Sequence, residues 1–386
     1  MSMKRIFKYK EACCGCNACA EVCPTGAIVM KEDGEGFLYP KINRKKCIDC
    51  GLCTKVCPVK KEGVAISDCL VKPGEKEKAG TERVYIGAQA KEDSIRYGSS
   101  SGGVFPVLAR YVLERKGVVF GAVMEADGMV RHKMACMIEE FAPMRKTKYV
   151  QSSLEGCFER VRKCLEEGRF VLFTGTPCQC RAMKLYLEKK SCKGGRGVAD
   201  CQNILITDLV CYGVPSPGIW RKYLKEMGRK YGDRLSGFSF RDKRKRDNGH
   251  TVSFYAGKKE YAHAMREDSF CRVYFRDYTM RPACYSCRFC TTERESDITL
   301  GDFWGIDKVK PEMEDGMGTS LVILHSDKAK RIWEEVKEDF RYFRCEREDV
   351  LQPRLLKPAA WPGRRWRFML LNKFLTVGMS EKLLRK

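Results

Sequence analysis

Cys13-Cys14-Gly15-Cys16-Asn17-Ala18-Cys19-Ala20-Glu21-Val22-Cys23-Pro24 and Cys47-Ile48-Asp49-Cys50-Gly51-Leu52-Cys53-Thr54-Lys55-Val56-Cys57-Pro58 decide how the first part of this chain folds. Both runs carry the spacing Cys-x2-Cys-x2-Cys-x3-Cys-Pro. That is the ligand spacing of a bacterial-type ferredoxin with two 4Fe-4S clusters, in which the fourth cysteine of each run reaches the other cluster. The spacing therefore assigns Cys13, Cys16, Cys19 and Cys57 to a first cluster, and Cys47, Cys50, Cys53 and Cys23 to a second. Crossed ligation ties together a unit too short to build a core of its own. Zinc takes four ligands, commonly as two pairs, and a doubled four-cysteine run ending in proline does not fit it. Cys14 stands off the pattern and reads as a neighbour only.

The chain has 386 residues, of which roughly the first seventy belong to this unit, and the rest suffices for one large domain or two small ones. There are 23 cysteines, with no secreted-knot pairing among those outside the two runs. The start, Met1-Ser2-Met3-Lys4-Arg5, lacks an apolar targeting stretch, and no segment reaches membrane-span length. A cytoplasmic location is expected, since a reducing compartment suits so many thiols. The net charge is +23, spread over runs such as Arg44-Lys45-Lys46, Lys60-Lys61, Arg241 to Arg246, and Arg364-Arg365 with Arg367. No nucleic-acid motif accompanies these runs. An acidic redox partner such as a ferredoxin, a partner oxidoreductase or a polyanionic cofactor accounts for them better, because opposite charge speeds encounter.

Lys72 to Glu82 reads as a polar linker. From Val84 onward strands alternate with helices: strands over 118–123, 170–173, 204–210, 298–300 and 321–324, and helices over 102–114, 154–166, 177–187, 217–230 and 329–338. Such alternation predicts an α/β domain with a largely parallel sheet. The tail from Trp361 is basic and amphipathic; it reads as a helix docked on the body, with peripheral membrane contact as the most it would make with lipid. The expected division is a ferredoxin domain over 1–71, a linker over 72–83, a large domain over 84–345 and a helical tail over 346–386.

Three features of the large domain carry chemistry. The small-residue run Gly98-Ser99-Ser100-Ser101-Gly102-Gly103 precedes a helix, where backbone N–H groups can converge on an anion. Thr174-Gly175-Thr176-Pro177-Cys178-Gln179 and Asp208-Leu209-Val210-Cys211 lie at the carboxyl ends of expected strands, where α/β sheets place ligands. Cys284-x2-Cys287-x2-Cys290 then completes five candidates for the four ligand places of a third 4Fe-4S cluster. No GxGxxG fingerprint, catalytic triad or paired carboxylates appear, and the four histidines have no metal-ligand spacing. No catalytic residue is assigned; His250 is the histidine to watch.

Tyr97 to Gly103, Thr147 to Ser152, Phe173 to Gln179, Cys211 to Pro217 and Ser296 to Gly305 occur in this order. Together they resemble the beta subunit of the coenzyme F-420 hydrogenase/dehydrogenase family, over roughly residues 84 to 330. (That coenzyme is a deazaflavin.) The resemblance implies a flavin-binding α/β domain with FAD and its own 4Fe-4S cluster. It places FAD contacts at Ser99, Ser100, Ser101, Gly102, Gly103, Lys148, Thr176 and Asp302, with Phe303 and Trp304 on the same cavity. It takes Cys178, Cys211, Cys284 and Cys287 as third-cluster ligands, with Cys290 fifth. The implied activity is an iron-sulfur flavoprotein oxidoreductase exchanging hydride with a deazaflavin or another organic substrate. The alternative is an electron-relay subunit without a substrate of its own. The chain departs from many relatives after Arg241-Asp242-Lys243, which leads here to Gly249-His250, so this region shapes the substrate pocket.

Overall fold

A computed structural model describes residues 6–7, 9–59, 82–191, 201–244 and 250–385. The expected linker lies outside the described residues up to 81, as do Lys60-Lys61 and the end of the run from Arg241 to Arg246. The strands are β1 (Ile28–Glu32), β2 (Leu38–Ile42), β3 (Val84–Ala90), β4 (Val118–Met124), β5 (Val130–Ala135), β6 (Val171–Gly175), β7 (Ile204–Leu209), β8 (Leu235–Asp242), β9 (Thr251–Ala256), β10 (Lys259–Ala264), β11 (Ile298–Asp302), β12 (Ser320–Leu324) and β13 (Phe340–Cys345).

Eight of them form one sheet in the order β13-β3-β12-β11-β7-β6-β4-β5. Val118–Phe120, Val171–Phe173 and Ile204–Ile206 are buried β-branched and aromatic runs, as befits strands covered on both faces. They pair in parallel, and β7 pairs in parallel with β11. The expectation of a largely parallel sheet is corrected on both flanks. β12, β3 and β13 add antiparallel beyond β11, and β5 folds back antiparallel on β4. A short connection such as Met124 to Val130 leaves no room for the crossover that a parallel partner needs.

Helices cover both faces. On one, Val104–Glu114 and Asp327–Val336 bury Val107, Leu108, Val112, Ile332 and Trp333. On the other, Cys157–Glu166 and Pro177–Ser191 bury Phe158, Val161, Met183 and Tyr186. Ser326 starts the helix at Asp327 by accepting from the Ala329 amide at 3.1 Å, and Ser216 does the same for Ile219 at 3.0 Å ahead of Pro217. A three-stranded antiparallel sheet, β10-β9-β8, was not expected. It packs around Trp220, Phe240 and Phe270.

From Trp361 onward the tail forms two helices, Arg365–Leu371 and Val377–Arg385. Phe368, Val377 and Leu384 are buried in the core around Trp220, and the buried Glu381 pairs with Arg272 and Arg276. The tail is thus docked on the body, while Trp366 and Phe374 stay exposed.

The hairpin β1–β2 and its two cysteine loops sit on the large domain. Ser216 Oγ and Gly218 N both donate to Glu35 O, at 2.5 and 3.1 Å. Arg221 grips Glu32 at 2.7 Å, Arg365 forks onto the Glu35 carboxylate, and Glu21 accepts from the Gly156 amide at 2.7 Å.

Gly102 has a packing role. A Cβ there would lie 2.1 Å from Ala88 O and 2.6 Å from Ser320 N, both backbone atoms of the central sheet. Gly102→Ala is expected to cost about 1–3 kcal/mol through overpacking, read as a lower denaturant midpoint; an unchanged midpoint refutes the close approach.

Candidate redox sites

The two ferredoxin loops have the same local shape. Asn17 and Gly51, at φ +71° and +70°, each turn the chain in the left-handed region just before a short helix, Ala18–Glu21 or Leu52–Lys55. Cys16 and Cys19 of the first run are buried, whereas Cys50 of the second is exposed. Cys19 feels Cys13, Cys57 and Cys53, and Cys16 feels Cys19 and Cys57. Cys57 therefore stands with the first run. Cys23, Cys47, Cys50 and Cys53 line one small cavity, so Cys23 stands with the second. Burial, followed by neighbouring thiols, pushes the Cys19 thiol up. So many close thiols become thiolates together only around a cationic body such as an iron-sulfur core. The backbone amide of Ala27 donates to Cys23 Sγ at 3.3 Å. None of the eight cysteines of the two runs is in a disulfide.

A third cysteine set gathers at the carboxyl edge of the large sheet. Cys178 follows β6 at the start of a helix, Cys211 follows β7, and Cys284 lies in the turn Pro282–Ser286. Burial, then Cys178 and Cys287, pushes Cys211 up to about 12. Burial, then Cys211 and Cys287, raises Cys284 as well, and the Val214 amide donates to its sulfur at 3.5 Å. Cys290 is buried beside Cys287 and within range of Cys211, so all five candidates meet. Their hydrogen bond favours the thiolate at Cys287 and the thiol at Cys290. Arg294, paired with Asp208 at 2.9 Å, adds a cation nearby. Among the described residues, no three His, Cys, Asp or Glu stand close enough to hold a single metal ion; what the cysteines share is a wider neighbourhood.

Cys14 is the residue whose place the spacing missed. Its thiol is a close neighbour of those of both Cys16 and Cys178. It joins the first ferredoxin group to the third set. Nothing in the linear pattern marks it, because Cys178 is distant in sequence.

A cavity of about 490 Å³ opens nearby, lined among others by Ser100, Arg241, Lys243, His250, Asp302 and Trp304. Arg241 pairs with Asp302 at 2.6 Å. Lys243 Nζ donates to Ser101 O at 2.7 Å and Arg96 O at 2.8 Å. Burial, aided by Arg241, lowers the Lys243 ammonium to about 7 and the His250 imidazolium to about 4. Of the residues expected around FAD, Ser100 and Asp302 line this cavity. Ser99, Ser101, Gly102 and Gly103 lie in the wall behind it: Ser99 Oγ bonds Ile95 O and Ser101 Oγ bonds Thr319 O, and Gly103 turns at φ +93° into the helix. Lys148 is spent on Pro143 O and Arg145 O, at 2.8 and 2.6 Å. Thr176 lies beside Cys178, Oγ1 to Sγ 3.2 Å. In the sequence Arg241 and Lys243 read as part of a solvated basic run, and their signal is the departure just before His250.

Tyr149 and Tyr274 stand between the third cysteine set and the cavity, with ring centroids 5.3 Å apart. Tyr274 faces Cys211 and Cys284, and Tyr149 faces Arg241 and Asp302.

Residues 12–61 match the family model of a 4Fe-4S dicluster domain, and residues 168–346 match that of the C terminus of the coenzyme F420 hydrogenase/dehydrogenase beta subunit. A dicluster ferredoxin is fused here to the C-terminal domain of that beta-subunit family. This makes it an iron-sulfur, electron-transfer, oxidoreductase-type chain. The second match takes in the third cysteine set, Arg241, Lys243 and Asp302; Ser99 to Gly103 and Lys148 lie ahead of it. Among solved structures, the F420-reducing [NiFe] hydrogenase complex from Methanosarcina barkeri is similar at 17% identity, covering 79% of this chain and 91% of that one, with a TM-score of 0.43. No curated protein matches the chain. No described helix of the fused protein is long and apolar enough to cross a membrane.

Anaerobically purified protein with three four-iron clusters is expected to hold about twelve iron and about twelve labile sulfide per chain. Cys178→Ser should remove about four of each, and Cys14→Ser none. Retention of all iron in Cys178→Ser would remove Cys178 from the ligand set.

Proposed function

We propose that this chain is a flavin-dependent iron-sulfur oxidoreductase that moves electrons between an acidic one-electron carrier and an organic hydride donor or acceptor, such as a deazaflavin. The supporting observation is the continuity of redox positions across the molecule. The second cluster, held by Cys47, Cys50, Cys53 and Cys23, lies at the rim, where Cys50 and Ile48 are exposed beside Lys45 and Lys46. The first cluster, held by Cys13, Cys16, Cys19 and Cys57, faces inward with Cys16 and Cys19 buried. Cys14 leads from there to the third set, taken as Cys178, Cys211, Cys284 and Cys287, and Tyr274 and Tyr149 lead on to the cavity. The assignment of domains to 1–71, 84–345 and 346–386 belongs to the same reading, as does a reducing, cytoplasmic setting for the free thiols.

The cavity has the size of a ligand site. Arg241 and Lys243 would meet phosphate oxygens or the negative charge of a reduced ring, and Trp304 offers a stacking face. FAD, when bound, supplies exchange of a hydride on one side and of single electrons on the other. His250, held neutral by burial and by Arg241, leaves these two cations without a third beside them. Ser100, fixed by the Thr147 amide at 2.7 Å, shapes the opposite wall.

A relay reading, in which electrons go to a partner oxidoreductase, draws on the exposed apolar side chains of the docked tail, Trp366 and Phe374 among them. The two readings part in one experiment. Protein purified anaerobically is titrated with reduced ferredoxin, reduced coenzyme F-420 and NAD(P)H while the flavin band is followed. Bleaching by a small-molecule donor supports the oxidoreductase; a protein with clusters but no flavin leaves the relay.

Lys243 gives two further tests. Lys243→Met should weaken FAD binding about tenfold to a hundredfold, the size of a lost charge-assisted hydrogen bond. The buried ammonium is charged below about 7 and neutral above it, so affinity of the flavin-free protein for FAD should fall as pH rises through that value. A flat profile in wild type refutes the contact.

A further inference from the structure

We infer that Arg281 is a positioning residue that stabilises the reduced state of the first cluster and so raises its potential. This rests on the reading of Cys13 as a ligand of that cluster. Arg281 comes from the large domain, at the edge of the turn that carries Cys284, yet its guanidinium lies inside the ferredoxin unit. It is 1% exposed. Its Nε donates to Cys13 O at 2.7 Å, and its Nη2 to Leu38 O at 2.7 Å and to Cys13 Sγ at 3.8 Å. Nη1 donates to Gln151 Oε1 at 3.2 Å, and Gln151 in turn donates to Cys14 O at 3.0 Å. Its carbon stands 4.4 Å from the centre of the Tyr39 ring.

All of these partners are neutral apart from the Cys13 sulfur. Among the described residues Arg281 has no carboxylate within ion-pair distance, whereas Arg241, Arg294 and Arg365, also buried, each have one. A buried cation without a counter-charge is costly. A four-iron cluster with four thiolates is anionic, and Arg281 touches one of its sulfurs, so the cluster is the counter-charge. Reduction adds one electron to that cluster and breaks no bond. The extra negative charge is met by a fixed cation and a charged hydrogen bond, both of which favour the reduced form.

Gly15 shows that the loop is shaped for this contact. It turns at φ +70°, and a Cβ there would lie 2.5 Å from Arg281 Nη1. The same side chain therefore locks the ferredoxin unit in place and biases the cluster nearest the third cysteine set.

Arg281→Gln and Arg281→Lys are to be compared with wild type by iron and sulfide content and by redox titration followed by electron paramagnetic resonance. The expected result is full cluster content with one cluster's midpoint potential shifted negative, more in the glutamine variant than in the lysine variant. An unshifted set of potentials at full content overturns the inference. Wild-type iron well below three clusters would instead count against the reading of the cysteine sets, so the two failures are distinct. If either variant loses clusters, wild-type protein with 15N-guanidino arginine decides the matter. Pulsed resonance on the reduced clusters should show a nitrogen coupling that unlabelled protein lacks, and no such coupling overturns the inference.

Discussion

The parallel pairing of β6, β7 and β11 is the constraint on which the rest depends. Parallel strands end on the same edge of a sheet, so Thr176-Pro177-Cys178, Val210-Cys211 and Asp302-Phe303-Trp304 emerge side by side. Two of these segments bring cysteines and the third brings a cavity wall. The strands can pair in this way because they are apolar on both faces and helices cover both. An antiparallel neighbour would have sent one of these groups to the far edge. The antiparallel strands stay at the flanks, where no candidate cysteine depends on them.

The ferredoxin unit is small, and it borrows stability from the large domain rather than standing apart from it. Its hairpin turn is held by Ser216, Gly218 and Arg365, its first helix by the Gly156 amide, and its first cysteine loop by Arg281. Several of these contacts are charged and partly buried, so they fix orientation as well as proximity. Orientation is what electron transfer needs here. The first cysteine group is turned toward Cys178, and the second is left at the surface where a carrier can approach.

The cavity illustrates how close polar packing divides labour. The small residues from Ser99 to Gly103 are spent mostly on the wall: Gly102 lies flat against the sheet, and two of the serines bond backbone carbonyls. The charge that faces the cavity comes instead from Arg241 and Lys243 at the end of β8, in a small sheet that the alternation of strands and helices did not reveal. A glycine-serine turn ahead of a helix looks the same in sequence whether it cradles an anion or packs on a strand.

Several things were legible in the residues alone because they are local. The Cys-x2-Cys-x2-Cys spacing keeps three sulfurs of each run close along the chain, so the core of each ferredoxin group is local, while the crossed fourth cysteine follows from the ferredoxin pattern. Apolar runs such as Val171–Phe173 and Ile204–Ile206 read as covered strands, and Cys178 and Cys211, just past the strands they open, sit at the edge where α/β sheets place ligands. What the tertiary structure alone decided is which distant groups meet: Cys14 with Cys178, Arg281 with Cys13, and Lys243 with the Ser101 carbonyl. The partners in each pairing lie more than a hundred residues apart in the chain. They depend on strand order and domain docking, which no spacing along the chain encodes.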